Sequence, residues 1–141
     1  MSTGYLLDTN VISETRRSRA DSGVIAFLSA ADAAGLFLSV LTLGELRKGV
    51  AAKRRSDPVA ADQLGAWVDG IEMNFADRVL PVDTATARHW GERSAEQSLP
   101  VIDTLIAATA ISHGLTLVTR NTRDVETTGA PLLNPWRQEM T

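Results

Sequence analysis

Residues 101–124 read VIDTLIAATAISHGLTLVTRNTRD, and the order of residue types in this stretch decides the fold class. Pro100, just before it, suits a helix start, where its missing N–H leaves no hydrogen bond unmade. The apolar run from Val101 has helix length, and Gly114 stops it, because glycine takes the left-handed conformation that closes helices. LTLVTRN (115–121) follows at once, short and apolar, and predicts a strand. The same alternation of strand-length apolar runs with longer helical patterns recurs along the chain, which is the signature of an α/β domain with a mostly parallel sheet of four to five strands.

Working outward, YLL (5–7) is the first strand and VISET begins a short helix after it. SGVIAFLSAADA (22–33) has helical periodicity, with Val24, Phe27, Leu28 and Ala31 on one face. LFLSV (36–40) is the second strand, followed by a helix through LTLGELRKGVAA and a basic loop KRRSDP (53–58). Pro58 opens the helix VAADQLGAWVDGIEMNF, RVLPV (78–82) is the third strand, and Asp83 or Thr84 caps the helix ATARHWGERSAEQ. APLLNPW (130–136) reads as an edge strand, since its prolines are poorly tolerated inside a sheet. No repeat or linker interrupts this order, so residues 1–141 are expected to form a single domain, long enough to bury about 68–70% of the unfolded surface.

Composition narrows the chemistry. There is no cysteine and there are only two histidines, so thiolate catalysis is excluded, a nitrogen-rich metal site is poorly supplied, and any metal must be held by oxygen. Neither GxGxxG nor GxxxxGK[ST] occurs, which removes the usual support for nucleotide folds. With no leader-like start and no apolar run approaching about 20 residues, the chain reads as a soluble, cytoplasmic protein without membrane contact. The net charge of −3 hides an uneven distribution. Between Arg16 and Arg55 eight basic residues face three acidic ones, a local +5, and the remainder of the chain carries −8. A basic strip beside an acidic pocket is compatible with a polyanionic substrate; solvated helix faces explain the arginines equally well.

Four acids are expected on one rim. Ligands in open parallel sheets gather beyond the carboxyl ends of the strands. Asp8 follows the first strand directly, and Glu45 and Asp103 lie near the starts of helices whose N-termini return to that edge. Asp124 follows the last long strand in a short turn. Each has a structural alternative: Asp8, Thr9 and Asn10 are good helix caps, Thr42-x-x-Glu45 fits a capping box, and Asp124 fits an Asx-turn. Asp103 is hardest to explain so, because Leu99, Ile106, Ala107 and Ala110 share its helix face, and a buried carboxylate needs a compensating partner. No lysine or arginine sits within a turn of it on that face, and a divalent cation is the simplest compensation. Clustered carboxylates suit Mg²⁺ or Mn²⁺, and such a site suits phosphodiester hydrolysis.

The sequence resembles the PIN-domain ribonucleases, and in particular the VapC/FitB-like toxins of bacterial toxin–antitoxin pairs. The resemblance rests on YLLDTNVISE, on LSVLTLGELRKGV with its S-x-x-T-x-x-E spacing, on LPVIDTLIAATAISHGLTLVTRNTRDV and on the closing LLNPW, and it covers nearly the whole chain. It implies a three-layer α/β/α fold and Mg²⁺-dependent endonucleolytic cleavage of RNA, with Mn²⁺ able to substitute. On that pattern Asp8, Glu45 and Asp103 are metal ligands, Asp124 is the fourth acid, and Thr9, Thr119 and Asn121 are supporting polar residues. It further implies a homodimer, a small VapB-like antitoxin whose C-terminal segment blocks the acids, and promoter DNA contact only through that antitoxin.

Arg16, Arg17, Arg47, Lys48 and Arg120 flank these segments and are candidate RNA contacts, with solvated surface charge the alternative. His89 and Trp90 are expected to pack, as are Trp67, Phe75 and Trp136 in the core or a subunit interface. Two other functions fit parts of the pattern. A non-catalytic module would use the acids to dock a basic peptide. An aspartyl-phosphate phosphatase would use Asp8 as nucleophile, but that class expects a second acid two residues on, where Asn10 stands.

Overall fold

A computed structural model describes residues 4–137; residues 1–3 and 138–141 of the expected single domain lie outside it. Five short strands form one all-parallel sheet: β1 (Tyr5–Leu7), β2 (Leu36–Ser39), β3 (Val79–Leu80), β4 (Thr116–Val118) and β5 (Leu132–Leu133), in the spatial order β3-β2-β1-β4-β5. Around them lie α1 (Thr9–Arg16), α2 (Ser22–Ala30), α3 (Val40–Arg54), α4 (Pro58–Asn74), α5 (Thr84–Ser94), α6 (Val101–His113) and the single turn α7 (Thr122–Val125).

Strand pleat sorts the core into two halves. Leu7, Leu36, Leu38 and Val118 pack with Val11, Val24, Leu46, Val50 and Val68 from α1 to α4, whereas Leu6 and Leu117 pack with Ile106, Ala107 and Ala110 of α6. Successive strand residues point to opposite faces, so these apolar runs must be covered twice, and the result is the three-layer α/β/α sandwich. Phe27, Leu28 and Ala31 join Val24 against the first core, as the periodicity of α2 predicts. Trp67, Phe75 and Trp136 pack partly buried there too.

The helix ends follow local chemistry. Asp21, Asp57 and Asp83 cap α2, α4 and α5, and Ser39 caps α3 by accepting from Leu41 N at 3.0 Å. Gly114 closes α6 with φ of 65°. The strands β3, β4 and β5 are shorter than the runs that predict them, α1 begins two residues earlier at Thr9 and α2 ends at Ala30, and three further boundaries differ for local reasons. Val40 begins α3 rather than ending β2, because Ser39 is the last residue paired with β3 and its hydroxyl caps the helix. Lys53 and Arg54 belong to the last turn of α3, where cations favour the helix dipole, rather than to a loop. α5 stops at Ser94, three residues before the predicted end.

Strands β1 to β3 step outward with α1–α4 on one face, and the chain then returns through α5 and α6 on the other face to place β4 beside β1. The strand order therefore reverses between β1 and β4. In such sheets the crevice beyond the carboxyl ends at this reversal is the ligand-binding position.

Candidate functional site

Asp8 stands in that crevice, as the first residue after β1. It is 9% exposed, and both of its oxygens are engaged: Oδ1 accepts from Thr9 N at 2.8 Å, and Oδ2 accepts from Thr119 Oγ1 at 2.8 Å across the β1–β4 reversal. The capping and site readings of Asp8 are thus not exclusive. Of the three caps the sequence offered, Asp8 is the N-cap of α1, while its other oxygen is held by Thr119. Burial pushes its carboxyl above the ordinary range; the bonds from Thr119 and Thr9 oppose this, and the charge of Glu45 adds to it.

Thr119 Oγ1 also accepts from Asn10 Nδ2 at 3.2 Å and from Asn121 N at 3.0 Å, while Asn10 Oδ1 accepts from Arg120 N at 3.3 Å. Asn10 is the residue sequence reasoning missed. It sits where a phosphatase would carry its second acid, and it spends its amide on holding the loop after β4 against α1. Asn121 contributes its backbone, with an exposed side chain.

Glu45 lies on the second turn of α3, its Oε1 accepting from Thr9 Oγ1 at 2.5 Å, with the fully buried Thr42 Oγ1 3.1 Å from the same hydroxyl. The Thr42–Glu45 capping box is not formed, because the helix starts two residues earlier at Val40 under the Ser39 cap. Thr9 thus joins Asp8, its own helix start and Glu45 in one chain of hydrogen bonds.

Asp103 occupies the first turn of α6, half-buried at the rim of the face formed by Ile106, Ala107 and Ala110. Its carboxyl is held above the ordinary range by burial first, then by the negative charges of Asp8, Glu45 and Asp124. Asp103 is therefore within electrostatic reach of the other three sequence-predicted acids, and Asp8 of Glu45. Asp124 is exposed on α7, and the Asx-turn does not form: Asp124 N bonds to Asn121 O, and no side-chain bond of Asp124 occurs among the described residues.

Does this donor set fit a hard divalent cation? Among the described residues, none of the four acids has a Lys, Arg or His partner, although six other ion pairs form. No group of three or more Asp, Glu or His side chains there forms a ready-made cage. Unpaired carboxylates, with those of Asp8 and Asp103 held above the ordinary range partly by their neighbours' charge and with threonine and asparagine oxygens beside them, suit Mg²⁺ or Mn²⁺, and Mg²⁺ usually takes one or two protein carboxylates and keeps its waters.

The candidate RNA-contact residues divide. Arg47 pairs with Asp69 at 2.6 Å and Glu72 at 2.9 Å, clamping α3 to α4, and Arg17 pairs with the buried Glu14 at 3.2 Å. Arg16 and Arg120 instead lie over the rings of Trp67 and Trp136, at 5.7 and 5.4 Å. Lys48 is exposed. Trp90 packs as expected, its Nε1 donating to Thr104 Oγ1 at 3.0 Å to tie α5 to α6. Among the described residues no helix is long and apolar enough to cross a membrane.

A parallel sheet with this strand order, acids at its point of reversal and helices on both faces defines a class. The chain matches the PIN domain family over residues 5–129 and belongs to it. Within that family it is of the VapC/FitB type. It is 39% identical over 140 residues to the VapC ribonuclease Y4jK of Sinorhizobium fredii, covering 93% of this chain and 96% of that one. It is 34% identical to the toxin FitB of Neisseria gonorrhoeae, covering 93% of this chain and 97% of FitB. The crystal structure of FitAcB from Neisseria gonorrhoeae superposes with a TM-score of 0.86 at 33% identity, over 95% of this chain and 99% of the other. The FitAB structure bound to an IR36 DNA fragment gives 0.84 at 32% identity, over 96% and 98%.

Proposed function

We propose that the chain acts as one domain, a metal-dependent endoribonuclease toxin that hydrolyses RNA phosphodiester bonds at Asp8, Glu45, Asp103 and Asp124. The observation that carries this reading is Asp103: a half-buried carboxylate within electrostatic reach of three other acids, with no cationic partner among the described residues. Relatives named as VapC ribonucleases support RNA as the substrate. Asp8, Glu45 and Asp103 would hold Mg²⁺, or Mn²⁺ in its place, with Asp124 completing the acidic rim. When bound, the ion supplies charge neutralisation at the scissile phosphate and acidifies water for attack. The residues' own part is placement: Thr119 and Thr9 N fix Asp8, Thr9 Oγ1 fixes Glu45, and Asn10 holds the loop carrying Arg120 and Asn121.

The FitAB and VapBC assemblies among the structural relatives, including two bound to DNA, support a small antitoxin as partner; in this reading it covers the acids and carries any promoter DNA contact. A cytoplasmic homodimer is the matching state of the toxin. The test is cleavage of single-stranded RNA by the purified chain. Cleavage is expected with Mg²⁺, and is expected to vanish with EDTA or in Asp103→Asn. Cleavage that persists in either overturns the proposal.

A further inference from the structure

Beside Glu45 the crevice continues into a groove of about 220 Å³ between α1, α3 and α4. Thr9, Glu45, Leu64, Trp67 and Arg16 are among the residues that line it. Gly49 lines it as well, and a Cβ built there meets nothing within 4 Å, so the groove stays open because this position has no side chain. The volume lies below the roughly 300–1,000 Å³ typical of small-molecule sites, so it suits a single flat ring.

Two features specify what kind of ring. Trp67 is packed against the core on one side and only half-buried, so it offers a rigid aromatic surface to the groove. Arg16 lies over that surface and, unlike Arg17 and Arg47, has no carboxylate partner among the described residues. Arg78 provides the contrast: it too covers an aromatic ring, Phe75, but its guanidinium donates to the carbonyls of Ala33, Leu36 and Asn74, a structural role. A planar cation held by no carboxylate, lying over a half-buried indole one step from the acids, matches a nucleotide: the guanidinium moves off the ring to take the adjoining phosphate and the base stacks in its place.

We infer that the Trp67–Arg16 groove is the subsite for one unpaired nucleobase next to the scissile phosphate of the RNA. This rests on the ribonuclease reading and adds to it which side chains grip the substrate and that the gripped nucleotide must be unstacked. Single-stranded RNA is recognised by aromatic stacking of splayed bases, and the energy of one stack corresponds to about a ten- to hundredfold change in affinity.

The test uses the whole chain and short single-stranded RNAs in which one abasic nucleotide is moved stepwise past the cleaved bond. For the wild type, one abasic position is expected to raise KM about ten- to hundredfold. Gly49→Leu, which fills the groove without removing a contact, is expected to raise KM for the intact RNA and to lose the abasic effect; unchanged circular dichroism verifies its fold. Trp67→Leu is expected to behave the same way. Identical abasic penalties in wild type and Gly49→Leu overturn the inference while leaving the nuclease reading standing. If no RNA is cleaved, the ribonuclease reading fails, and the difference in tryptophan emission between wild type and Trp67→Phe, with RNA and EDTA, judges the groove separately. Quenching of that emission by RNA supports the subsite. No quenching by RNA overturns it.

Discussion

Thr119 Oγ1 donates to Asp8 Oδ2 at 2.8 Å, joining the residue after β4 to the residue after β1 across 111 positions of sequence. The bond spans the one place in the sheet where strand order reverses, so it fixes the direction of a buried carboxylate at the ligand crevice. Thr119→Val keeps the shape and removes the donor. Since groups that orient a metal ligand typically contribute about 10–100-fold to metal affinity or activity, Mg²⁺ binding by titration calorimetry is expected to weaken by that amount. Unaltered affinity would show that Asp8 is oriented by Thr9 N alone.

Asp103 predicts an inverted pH dependence for the metal-free protein. Its folded-state pKa is raised above 3.8, so the folded chain holds this proton more tightly than the unfolded chain, and stability is lost as pH rises from 3.8 through the raised value. Asp103→Asn carries no such charge. In EDTA at neutral pH the variant is expected to melt higher than the wild type, with the gain shrinking as pH falls through that window. Asp21 and Asp83, whose pKa values are lowered chiefly by bonds from Arg137 N and Thr86 N, act in the opposite sense below 3.8 but cancel in the comparison. Saturating Mg²⁺ is expected to reverse the order, because it stabilises the fold that binds it. A variant that melts lower in EDTA at pH 7 would contradict the electrostatic account.

All five strands were legible in the sequence, because they depend on periodicity, and so was the approach of Asp8, Glu45 and Asp124 to Asp103, because it depends on which sheet edge each strand end and helix start reaches. What was not legible depends on contacts between distant segments. Asn10 reads locally as a cap, and its partners Thr119 and Arg120 are more than a hundred residues away. S-x-x-T-x-x-E offers two hydroxyls as cap for α3; pairing of Ser39 with Leu80 selects the first and frees Thr42 and Glu45 for the site. Arg47 looked like a phosphate contact because charge alone does not name its partner. Asp69 and Glu72, three apart on one face of the neighbouring helix, were the signal that could have assigned it.

Gly23 joins α2 to the closing segment. A Cβ there meets Pro135 O and, at 2.7 Å, Arg137 N, the group that Asp21 Oδ2 accepts from at 3.0 Å. Backbone cannot yield as a flexible side chain would, so Gly23→Ala is expected to destabilise by about 1–3 kcal/mol and to alter the emission of Trp136. Gly70, within α4 with open space around its Cα, is the control: Gly70→Ala is expected to stabilise by about 0.5–1 kcal/mol. Equal melting shifts for the two variants would deny the contact between Gly23 and the closing segment any role.

Arg16 and Arg47 carry the same charge one helix apart, and RNA binding should separate them. The guanidinium of Arg47 is engaged by Asp69 and Glu72, which hold its proton more firmly than usual, so a phosphate would have to displace two carboxylates to reach it. Arg16 has no such competitor among the described residues. Each phosphate neutralised on single-stranded nucleic acid contributes about 0.7 to the slope of log affinity against log salt. With binding measured by fluorescence anisotropy in EDTA across a salt series, Arg16→Ala is expected to reduce that slope by about 0.7. Arg47→Ala is expected to leave the slope as in the wild type and to lower the melting temperature slightly, since exposed ion pairs contribute about 0.2–1 kcal/mol. The opposite pattern would return Arg47 to the RNA interface and make Arg16 a packing residue on Trp67.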